Sequence, residues 1–528
     1  MLQGFIDVEA KDISFSINSH AKHTDRILPQ VFQDKISIPL YDDKASHEVP
    51  WRDFKAILAR FLCICKLYGA DQIEGKVVVG TSLLDSPKLP IIIDFVRDQT
   101  GWPVQLLKEQ QEYEACLYGL AGNFNCVRGL FVRVNARTMD MSWIYYTDNK
   151  HLTWGKRVTV EYGGATIARR LGKDLHSLLE TELCDALRRA YDQLEIPQQL
   201  VDLCADRGLR VFVKCKGTHL IARFLHQDIV SPILVGSFNN AGFSCKAQDI
   251  LDTSLKDVSQ YCKSLEGVQV SAQKAAFYEA TLLLLRSICV AIPKVRKVSF
   301  DRSTLREGIL YQDMPLKLFA LDPLIIATLP YALPGAEQLT KVLLTALPLN
   351  APTVIRDRIV HALANSSYIH SSYPRSAQAI SGLTIGLGGV LTGVQGLSHE
   401  VRILLGISLY KRWGGEPTDA STAIIDSFAR LLKNSNVLFW AFYIGSVMHV
   451  VGGIFPGSHV LKDVVNLKVE GDEKQFKLCI NLNHRSILAN NLIVRERLRN
   501  FPEGIRETLA LLGTDAPTVD IDIKWYNE

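Results

Sequence analysis

The chain has 528 residues, of which 47% are hydrophobic and 22% charged, as is typical of a folded globular protein rather than a disordered one. This length predicts about three or four domains. The formal net charge of +4 comes from 59 basic and 55 acidic residues without a basic block, so no nucleic-acid partner is expected. The eleven cysteines include no C-x-x-C pair, which favours reduced thiols over disulfides or a zinc site.

The first 127 residues are predicted to form an α/β lobe. Apolar runs on both sides of a polar turn predict strands at 4–9 and 12–18. The other predicted elements are strands at 35–40, 76–80 and 103–107, and helices at 50–69, 89–99 and 109–121. The order β-β-β-α-β-α-β-α is that of one ribonuclease-H-like lobe, so we assign residues 1–127 to actin-like lobe I.

A second lobe is predicted over residues 128–325, because a hairpin with the same plan begins at Gly129. Its other predicted elements are strands near 157–161, 209–213 and 268–270, and helices near 166–193 and 272–291. Two such hairpins, each at the start of an α/β unit, indicate the paired phosphate loops of an actin-like ATPase or phosphatase. The fold class is therefore α/β, with two actin-like lobes.

The remaining residues are predicted to form two further domains. Helical periodicity alone fills residues 326–459, whereas residues 460–528 return to a small ββαβ pattern. The apolar stretch 436–457 is long enough to span a bilayer, but its neighbours are amphipathic and its flanks lack a basic bias. We therefore interpret it as a buried helix and expect no membrane partner and a cytoplasmic or nuclear location.

Beside the two hairpins, five further segments carry recognisable motifs: Gln111–Ala115, Leu305–Gly308, Asp322–Leu324, Gly396–Arg402 and Arg412–Glu416. These motifs resemble those of the exopolyphosphatase/guanosine-pentaphosphatase family (Ppx/GppA) and of its fungal retrograde-regulation branch. The resemblance covers nearly the whole length. It implies two lobes with three phosphate-binding turns, followed by helical and α/β C-terminal regions.

The three phosphate-binding turns of that family are altered here. The first is Asp-x-Gly-Ser-Asn in the family, and here Asp7 is kept while Glu9, Ala10 and Lys11 replace the other three residues. The second (Asp-x-Gly-Gly-Gly-Ser) and third (Ser-Gly-Gly-Gly) are represented here by Arg133, Asn135, Ala136, Arg137 and Thr138, and by Lys214, Cys215, Lys216 and Gly217. Only the last glycine of the third turn, Gly217, is kept, so all three turns have lost the chemistry by which backbone N–H groups surround a phosphate.

These substitutions oppose the chemistry that the resemblance implies. A Cβ at a glycine position with positive φ costs about 1–2 kcal/mol or moves the turn. Arg133 replaces a carboxylate and puts a cation where Mg²⁺ would bind, so no metal site is predicted unless the protein is active. Glu112 matches the family's general base, and its alternative is a solvated helix residue. Asp7 either binds a metal or caps the following turn.

Five basic residues of the altered turns allow two interpretations: Lys11, Arg133, Arg137, Lys214 and Lys216. In the first interpretation the lobes close as in the family, and these residues converge on one cleft. With Asp7, Thr138 and Gly217 they would then hold a nucleotide, an inorganic anion such as polyphosphate, or an acidic partner segment. Alternatively, they pair with Glu9, Asp12 and Asp140 and seal the cleft. The residues alone do not separate these two interpretations.

The helical domain offers no second catalytic site by sequence. Helical metal phosphohydrolases use a His-Asp dipeptide, which the chain lacks, and His361, His370, His399 and His449 are isolated. The resemblance therefore implies a non-catalytic intracellular regulator or scaffold that binds a protein partner, as in retrograde (mitochondria-to-nucleus) signalling and transcription control. The alternative is an active, Mg²⁺-dependent phosphohydrolase with rebuilt loops, acting on polyphosphate, guanosine pentaphosphate or a nucleotide.

Overall fold

The computed structural model describes residues 1–21, 24–41, 49–72, 74–124, 126–147, 151–171, 176–205, 208–225, 243–264, 272–432, 435–457, 459–512 and 516–526. The chain divides into two compact units. The first contains Met1–Leu225 and Asn240–Leu321, and the second contains Asp322–Glu528. Each unit has its own β-sheet structure.

The first unit begins with a five-stranded sheet in the order β3-β2-β1-β4-β5. Its elements are β1 (Leu2–Val8), β2 (Asp12–Ser19), β3 (Gln30–Ser37), α1 (Trp51–Leu67), β4 (Lys76–Val79), α2 (Leu89–Thr100), β5 (Val104–Leu106) and α3 (Glu109–Asn123), with short 3₁₀ turns at Asp25–Ile27, Ala70–Gln72 and Thr81–Leu83. The first three strands are antiparallel, and β4 and β5 are parallel to β1. The strand predicted at 35–40 instead spans Gln30–Ser37.

A seven-stranded sheet in the same unit has the order β11-β12-β10-β6-β7-β8, with β9 also paired to β7. Its strands are β6 (Arg128–Val134), β7 (Met139–Tyr146), β8 (Leu152–Trp154), β9 (Val158–Val160), β10 (Leu209–Lys214), β11 (Ser244–Lys246) and β12 (Val295–Asp301). The helices are α4 (Gly164–Leu171), α5 (His176–Asp192), α6 (Gln198–Cys204), α7 (Thr218–Leu225), α8 (Ala247–Leu251), α9 (Leu255–Ser264), α10 (Ala272–Ala291), α11 (Leu305–Gln312) and α12 (Leu316–Phe319). The strand predicted at 268–270 lies outside the described residues.

The two sheets repeat one topology, which confirms the predicted fold class. In the first, β1 pairs antiparallel with β2 and parallel with β4. In the second, β6 pairs antiparallel with β7 and parallel with β10. Alternating apolar residues bury one set of side chains of each hairpin in a core. The turns after β1 and β6 therefore stand at the carboxyl ends of equivalent strands, and the turn after β10 follows the parallel neighbour of β6, which corresponds to β4. We predicted the phosphate-binding turns at these three positions.

Helices α3 and α11 pack closely within the first unit. Gly122 on α3 faces the ring of Tyr311 on α11, and Gly308 faces the carbonyl oxygen of Ala115, at separations that leave no room for a Cβ. A capping box starts α11, because the Thr304 hydroxyl accepts from the Glu307 N–H at 3.2 Å and the Glu307 carboxylate accepts from the Thr304 N–H at 2.7 Å. This close packing fixes α3, which carries Glu112.

The second unit combines helices with a three-stranded sheet in the order β13-β14-β15. Its elements are α13 (Pro323–Thr328), α14 (Ala336–Thr345), α15 (Val360–Ser366), α16 (Arg375–Leu383), α17 (His399–Arg412), α18 (Asp419–Leu432), α19 (Ser435–Ile454), β13 (Val465–Gly471), β14 (Gln475–Asn483), α20 (Leu492–Leu512) and β15 (Thr518–Tyr526), with a 3₁₀ turn at Leu329–Tyr331 and a π-helical turn at Ile355–Ile359.

The glycine-rich segment before α17 is organised around one buried cation. The Arg402 guanidinium donates to the carbonyl oxygens of Leu397 (3.3 Å), Gly386 (3.2 Å), Val394 (2.7 Å) and Leu391. Burial lowers the Arg402 pKa to about 10. Arg402 thus satisfies backbone oxygens of an uncharged loop that would otherwise be buried without donors.

One helical segment of the second unit, Asn436–Ile454, is long and apolar enough to cross a membrane by length and composition. In the apolar 18-residue stretch of this segment, 78% is buried inside the protein. Trp440 and Tyr443 on this helix are fully buried, and Trp440 stacks on Phe476 of β14 with ring centroids 5.1 Å apart. This burial is typical of a core helix.

Candidate functional site

The first altered turn is filled by the side chain of Glu9. Its carboxylate accepts a hydrogen bond from the Ser82 hydroxyl, which itself accepts from the Ala10 N–H at 2.9 Å. The same carboxylate lies against Gly80, so close that a Cβ there would collide with it. Burial raises the Glu9 pKa, and the Ser82 hydrogen bond partly offsets this effect. A side chain therefore occupies the space between the turn and the end of β4.

Asp7, the only acidic residue kept from the first turn, lies at the end of β1. Its Oδ1 is buried and has no hydrogen-bond partner among the described residues, so the predicted turn cap is not formed by this atom. Burial raises the pKa of Asp7 well above its usual range, and the nearby Glu9, Glu112 and Asp12 raise it further. The site thus favours the protonated form of Asp7.

Arg133, at the end of β6, is the centre of a buried ion-pair network. Its Nε and Nη2 donate to Asp140 Oδ2 on β7 at 3.1 and 2.9 Å, and its Nη1 donates to Glu112 Oε1 at 3.0 Å. Burial lowers the pKa of Arg133, but Cys116, Asp140 and Glu112 outweigh this effect and raise it above its usual value. The guanidinium also lies over the Tyr113 ring, 5.4 Å from its centroid. Arg133 is therefore a permanent cation with its charge compensated inside the protein.

Asp140 completes this network from the opposite strand of the hairpin. Its Oδ1 accepts from the Thr159 hydroxyl at 2.8 Å, and its Oδ2 also accepts from the Asn135 side chain at 3.2 Å. Asp140 faces Arg133 directly in the β6–β7 register, which explains why the two side chains meet. Both Asp140 oxygens are therefore occupied by protein donors.

Glu112, in the first turn of α3, bridges the two lobes. Besides Arg133 at Oε1, its Oε2 accepts from the Thr81 N–H at 3.0 Å and from the Thr81 hydroxyl. The Glu112 side chain is only 18% exposed, so it is not the solvated helix residue of the alternative interpretation. The carboxylate that matches the family's base is held as a structural acceptor between β4 and β6.

The two lysines of the third altered turn, after β10, lie in different surroundings. Lys214 Nζ donates to the Ser303 hydroxyl at 3.0 Å and to the Ser303 carbonyl oxygen, and lies 3.5 Å from Asp301 Oδ2. Burial lowers the Lys214 pKa, but Cys116, Asp301 and Glu307 raise it overall. Lys216 is exposed, and its charge lowers the pKa of Glu9. The retained Gly217 is buried against Thr281 with no space for a Cβ.

The other predicted residues lie in the two hairpin turns. Lys11 and Arg137 are exposed, and Thr138 is half-buried with its hydroxyl 3.5 Å from the Asn135 side-chain nitrogen. Asp12, a proposed partner of the turn cations, pairs at 2.9 Å with Lys35. The structure thus joins Glu112 and Arg133 in one network, places Asp7 near Glu112 without a bond to it, and leaves Lys11, Arg137 and Lys216 exposed.

The network does not fit the Mg²⁺ site that the resemblance implies for an active protein. Arg133 holds Asp140 and one oxygen of Glu112, so a divalent cation would have to displace a buried guanidinium. Within the described parts of the chain, no three His, Cys, Asp or Glu side chains are grouped as metal ligands. The side chains of this network therefore hold one another by ion pairs in place of a divalent cation.

Sequence reasoning missed four polar residues of the site: Thr81 and Ser82 after β4, and Asp301 and Ser303 after β12. A signal for the first pair was present, because Gly80-Thr81-Ser82 follows the apolar run of β4 directly. Polar residues that follow a buried strand in this way are expected at a functional edge of the sheet.

The repeated topology gives this chain an α/β fold with two actin-like lobes. Residues 322–498 match the model of the RTG2 C-terminal domain family. Over 494 residues, 89% of this chain and 83% of the relative, the chain is 28% identical to retrograde regulation protein 2 of Saccharomyces cerevisiae. The resemblance to the retrograde-regulation branch that the sequence motifs indicated is confirmed by these matches.

Solved structures of the Ppx/GppA group are also similar to this chain. The Aquifex aeolicus Ppx/GppA phosphatase in its type II variant has a TM-score of 0.45 at 11% identity, covering 60% of this chain and 100% of that chain. An exopolyphosphatase from Cytophaga hutchinsonii has a TM-score of 0.42 at 11% identity, covering 59% of this chain and 97% of that chain.

Proposed function

We propose that this protein is a non-catalytic relative of the exopolyphosphatases that acts as a regulatory or scaffolding protein. The observation that carries the proposal is the ion-pair network of Arg133 with Glu112 and Asp140. Phosphoryl transfer in this fold requires a metal to neutralise phosphate charge and a carboxylate to orient water. Here a guanidinium takes the place of the metal and binds the carboxylate.

The first turn supports the same proposal. A phosphate in this turn would need inward-facing N–H groups, but the Glu9 carboxylate lies there and the Ala10 N–H donates to Ser82. A carboxylate in that position repels a polyanion. Removing one preorganised donor of an active site typically costs about 10²–10³-fold in rate, so the combined changes leave no efficient route to hydrolysis.

The regulatory role is proposed from the relative named for retrograde regulation. By that similarity we propose that this chain takes part in signalling from mitochondria to the nucleus and in transcription control. It would act in the cytoplasm or nucleus by binding a protein partner. If Glu112 and Arg133 hold the lobes closed, the lobes would present a stable binding surface and would not open and close as in a reaction cycle.

The test is a hydrolysis assay of the purified full chain. Long-chain polyphosphate and guanosine pentaphosphate are incubated with Mg²⁺ or Mn²⁺, with an active exopolyphosphatase as positive control and Glu112→Gln as the matched variant. We expect no phosphate release above the level of the variant. Metal-dependent turnover that Glu112→Gln abolishes would overturn the proposal and support the active phosphohydrolase instead.

A ligand role of the exposed cations is tested separately by thermal shift with ATP, guanosine nucleotides and polyphosphate. The non-catalytic proposal expects that any stabilisation is independent of metal. If Lys11→Ala or Lys216→Ala removes such stabilisation, the cleft senses an anion, because these two lysines are exposed at the altered turns. Stabilisation that requires Mg²⁺ would contradict the non-catalytic assignment.

A further inference from the structure

A cavity of about 430 Å³ opens on the small sheet of the second unit, away from the altered turns in the chain. Its lining residues are His484, Arg495, Leu498, Arg499, Ile523 and Trp525. It lies at the carboxyl ends of the parallel strands β14 and β15, beside the start of helix α20. This helix follows β14 and precedes β15 in the chain. The His484 N–H donates to the Tyr526 carbonyl oxygen at 2.9 Å and joins the two strand ends.

The cavity has an apolar floor and a cationic rim. Leu498 is buried and Ile523 half-buried, whereas His484, Arg495 and Arg499 are exposed. None of the six lining residues is acidic. Arg495 and Arg499 are four positions apart on α20 and therefore point to the same side of the helix. The cavity thus complements an apolar group that carries negative charge.

Trp525 forms the exposed wall of the cavity. It is 36% exposed, and the Arg495 guanidinium lies over its ring, 5.6 Å from the centroid. The same guanidinium donates to Asn490 Oδ1 at 2.9 and 2.7 Å, which fixes its plane. Leu492, one turn before Arg495, is 79% exposed. Trp and Arg are the side chains that most often dominate binding energy at protein interfaces.

Strand β15, which supplies Ile523 and Trp525, is at the edge of its sheet in the described part of the chain. It spans nine residues, Thr518–Tyr526, and leaves one row of N–H and C=O groups without a neighbouring strand. An edge strand of this length accepts an extended peptide as an added strand, with neighbouring cavities selecting alternate side chains.

We propose that this edge and cavity bind an extended segment of a partner protein in which acidic and aromatic or aliphatic residues occupy every second position, so that they share the face of the strand that meets the cavity. The segment adds to β15, its apolar side chain packs beside Trp525, and its carboxylates pair with Arg495 and Arg499. This inference rests on the proposed function and deepens it, because it names the class of partner segment that the regulatory protein recognises.

The experiment selects ten-residue peptides from a random display library on the immobilised full chain. Selected peptides are then measured by fluorescence anisotropy against wild type, Arg499→Glu and Trp525→Ala, with Arg506→Glu as control. Arg506 lies on the same helix, is 71% exposed and pairs with Glu503 outside the cavity. Because Arg499 and Arg506 are exposed, Arg499→Glu and Arg506→Glu are expected to keep the wild-type melting temperature.

We expect the selected peptides to combine acidic with apolar residues. Arg499→Glu and Trp525→Ala should each weaken binding by about tenfold or more, while Arg506→Glu changes it by less than about twofold. N-methylation of alternate peptide nitrogens should also weaken binding, because it blocks pairing with the strand edge. Peptides without acidic residues, or equal affinity for all four proteins, would overturn the proposal.

Competition separates a partner segment from a small anion. ATP, inorganic phosphate and tripolyphosphate are added to the selected peptide complex at physiological salt. If these anions bind at the cavity and no peptide does, the site is a small-anion site and the inference is wrong. If no peptide binds, this inference is wrong, but the result of the hydrolysis assay is unaffected. If the protein hydrolyses polyphosphate and still binds the peptides, only the proposed function is wrong.

Discussion

Replacing Arg133 by Met should destabilise the first unit strongly, because it leaves two carboxylates in a buried site without their cation. The Arg133 side chain is 9% exposed, Asp140 3% and Glu112 18%, so water compensates little of the lost charge. Breaking such a buried pair typically costs about 3–5 kcal/mol. Arg188→Met is the matched control, because that pair with Asp185 is about half exposed and should cost less than about 1 kcal/mol.

The measurement is hydrogen exchange by mass spectrometry of residues 128–146, which reports the free energy of opening the β6–β7 hairpin. Adding Asp140→Asn to Arg133→Met should recover stability relative to the sum of the single changes, by about 1–3 kcal/mol, because the unpaired charge is removed. Strictly additive losses, or an Arg133→Met effect no larger than that of Arg188→Met, would refute the view that the network holds the site together.

Two further predictions concern packing and pH. In urea titrations, Gly308→Ala should lower the free energy of unfolding by about 1–3 kcal/mol, because its Cβ would collide with the Ala115 carbonyl oxygen. Gly504 lies in open space on a helix, so Gly504→Ala should raise the free energy of unfolding by about 0.5–1 kcal/mol in the same titrations. Burial and then Arg497 lower the His449 pKa to about 4, below the value near 6.5 of an unfolded chain. The free energy of unfolding should therefore fall by about 2 kcal/mol from pH 6.5 to 4, because only the unfolded chain takes up this proton. His449→Gln should remove that part of the pH dependence. A pH profile of stability that is unchanged in His449→Gln would contradict the assignment.

The lobes were predictable because their hairpins carry strong local signals. Apolar alternation and short turns identified β1, β2, β6 and β7, and the repeat of the plan gave the fold class. The third strand was misplaced because Ile38 and Leu40 continue the apolar alternation and are buried after the strand has ended. The Ile38 N–H donates to the Lys11 carbonyl oxygen at 3.0 Å outside the regular ladder. Side-chain burial therefore continues past Ser37, the last paired residue of β3.

Strand β12 was missed for a different reason. It lies inside the second sheet between β10 and β11, yet Arg296 and Lys297 at its start are exposed, so the segment has no continuous apolar run. Without this strand the sequence could not place Asp301 and Ser303 beside Lys214. Local patterning thus identifies the altered turns, but the partners of their charges depend on which strand ends meet in the folded sheet.

The network explains how the altered site holds buried carboxylates by protein groups. Loss of a metal alone would leave Glu112 and Asp140 as buried carboxylates that repel each other across the gap between the lobes. Arg133 supplies a cation fixed by a covalent chain, with several donors in a planar fork, where Mg²⁺ would be an exchangeable divalent ion. Glu112 therefore joins the two lobes through protein groups, by accepting from Thr81 and from Arg133. Under the proposed regulatory function, this junction would present a constant binding surface, and regulation would come from the partner or from an anion at the exposed lysines.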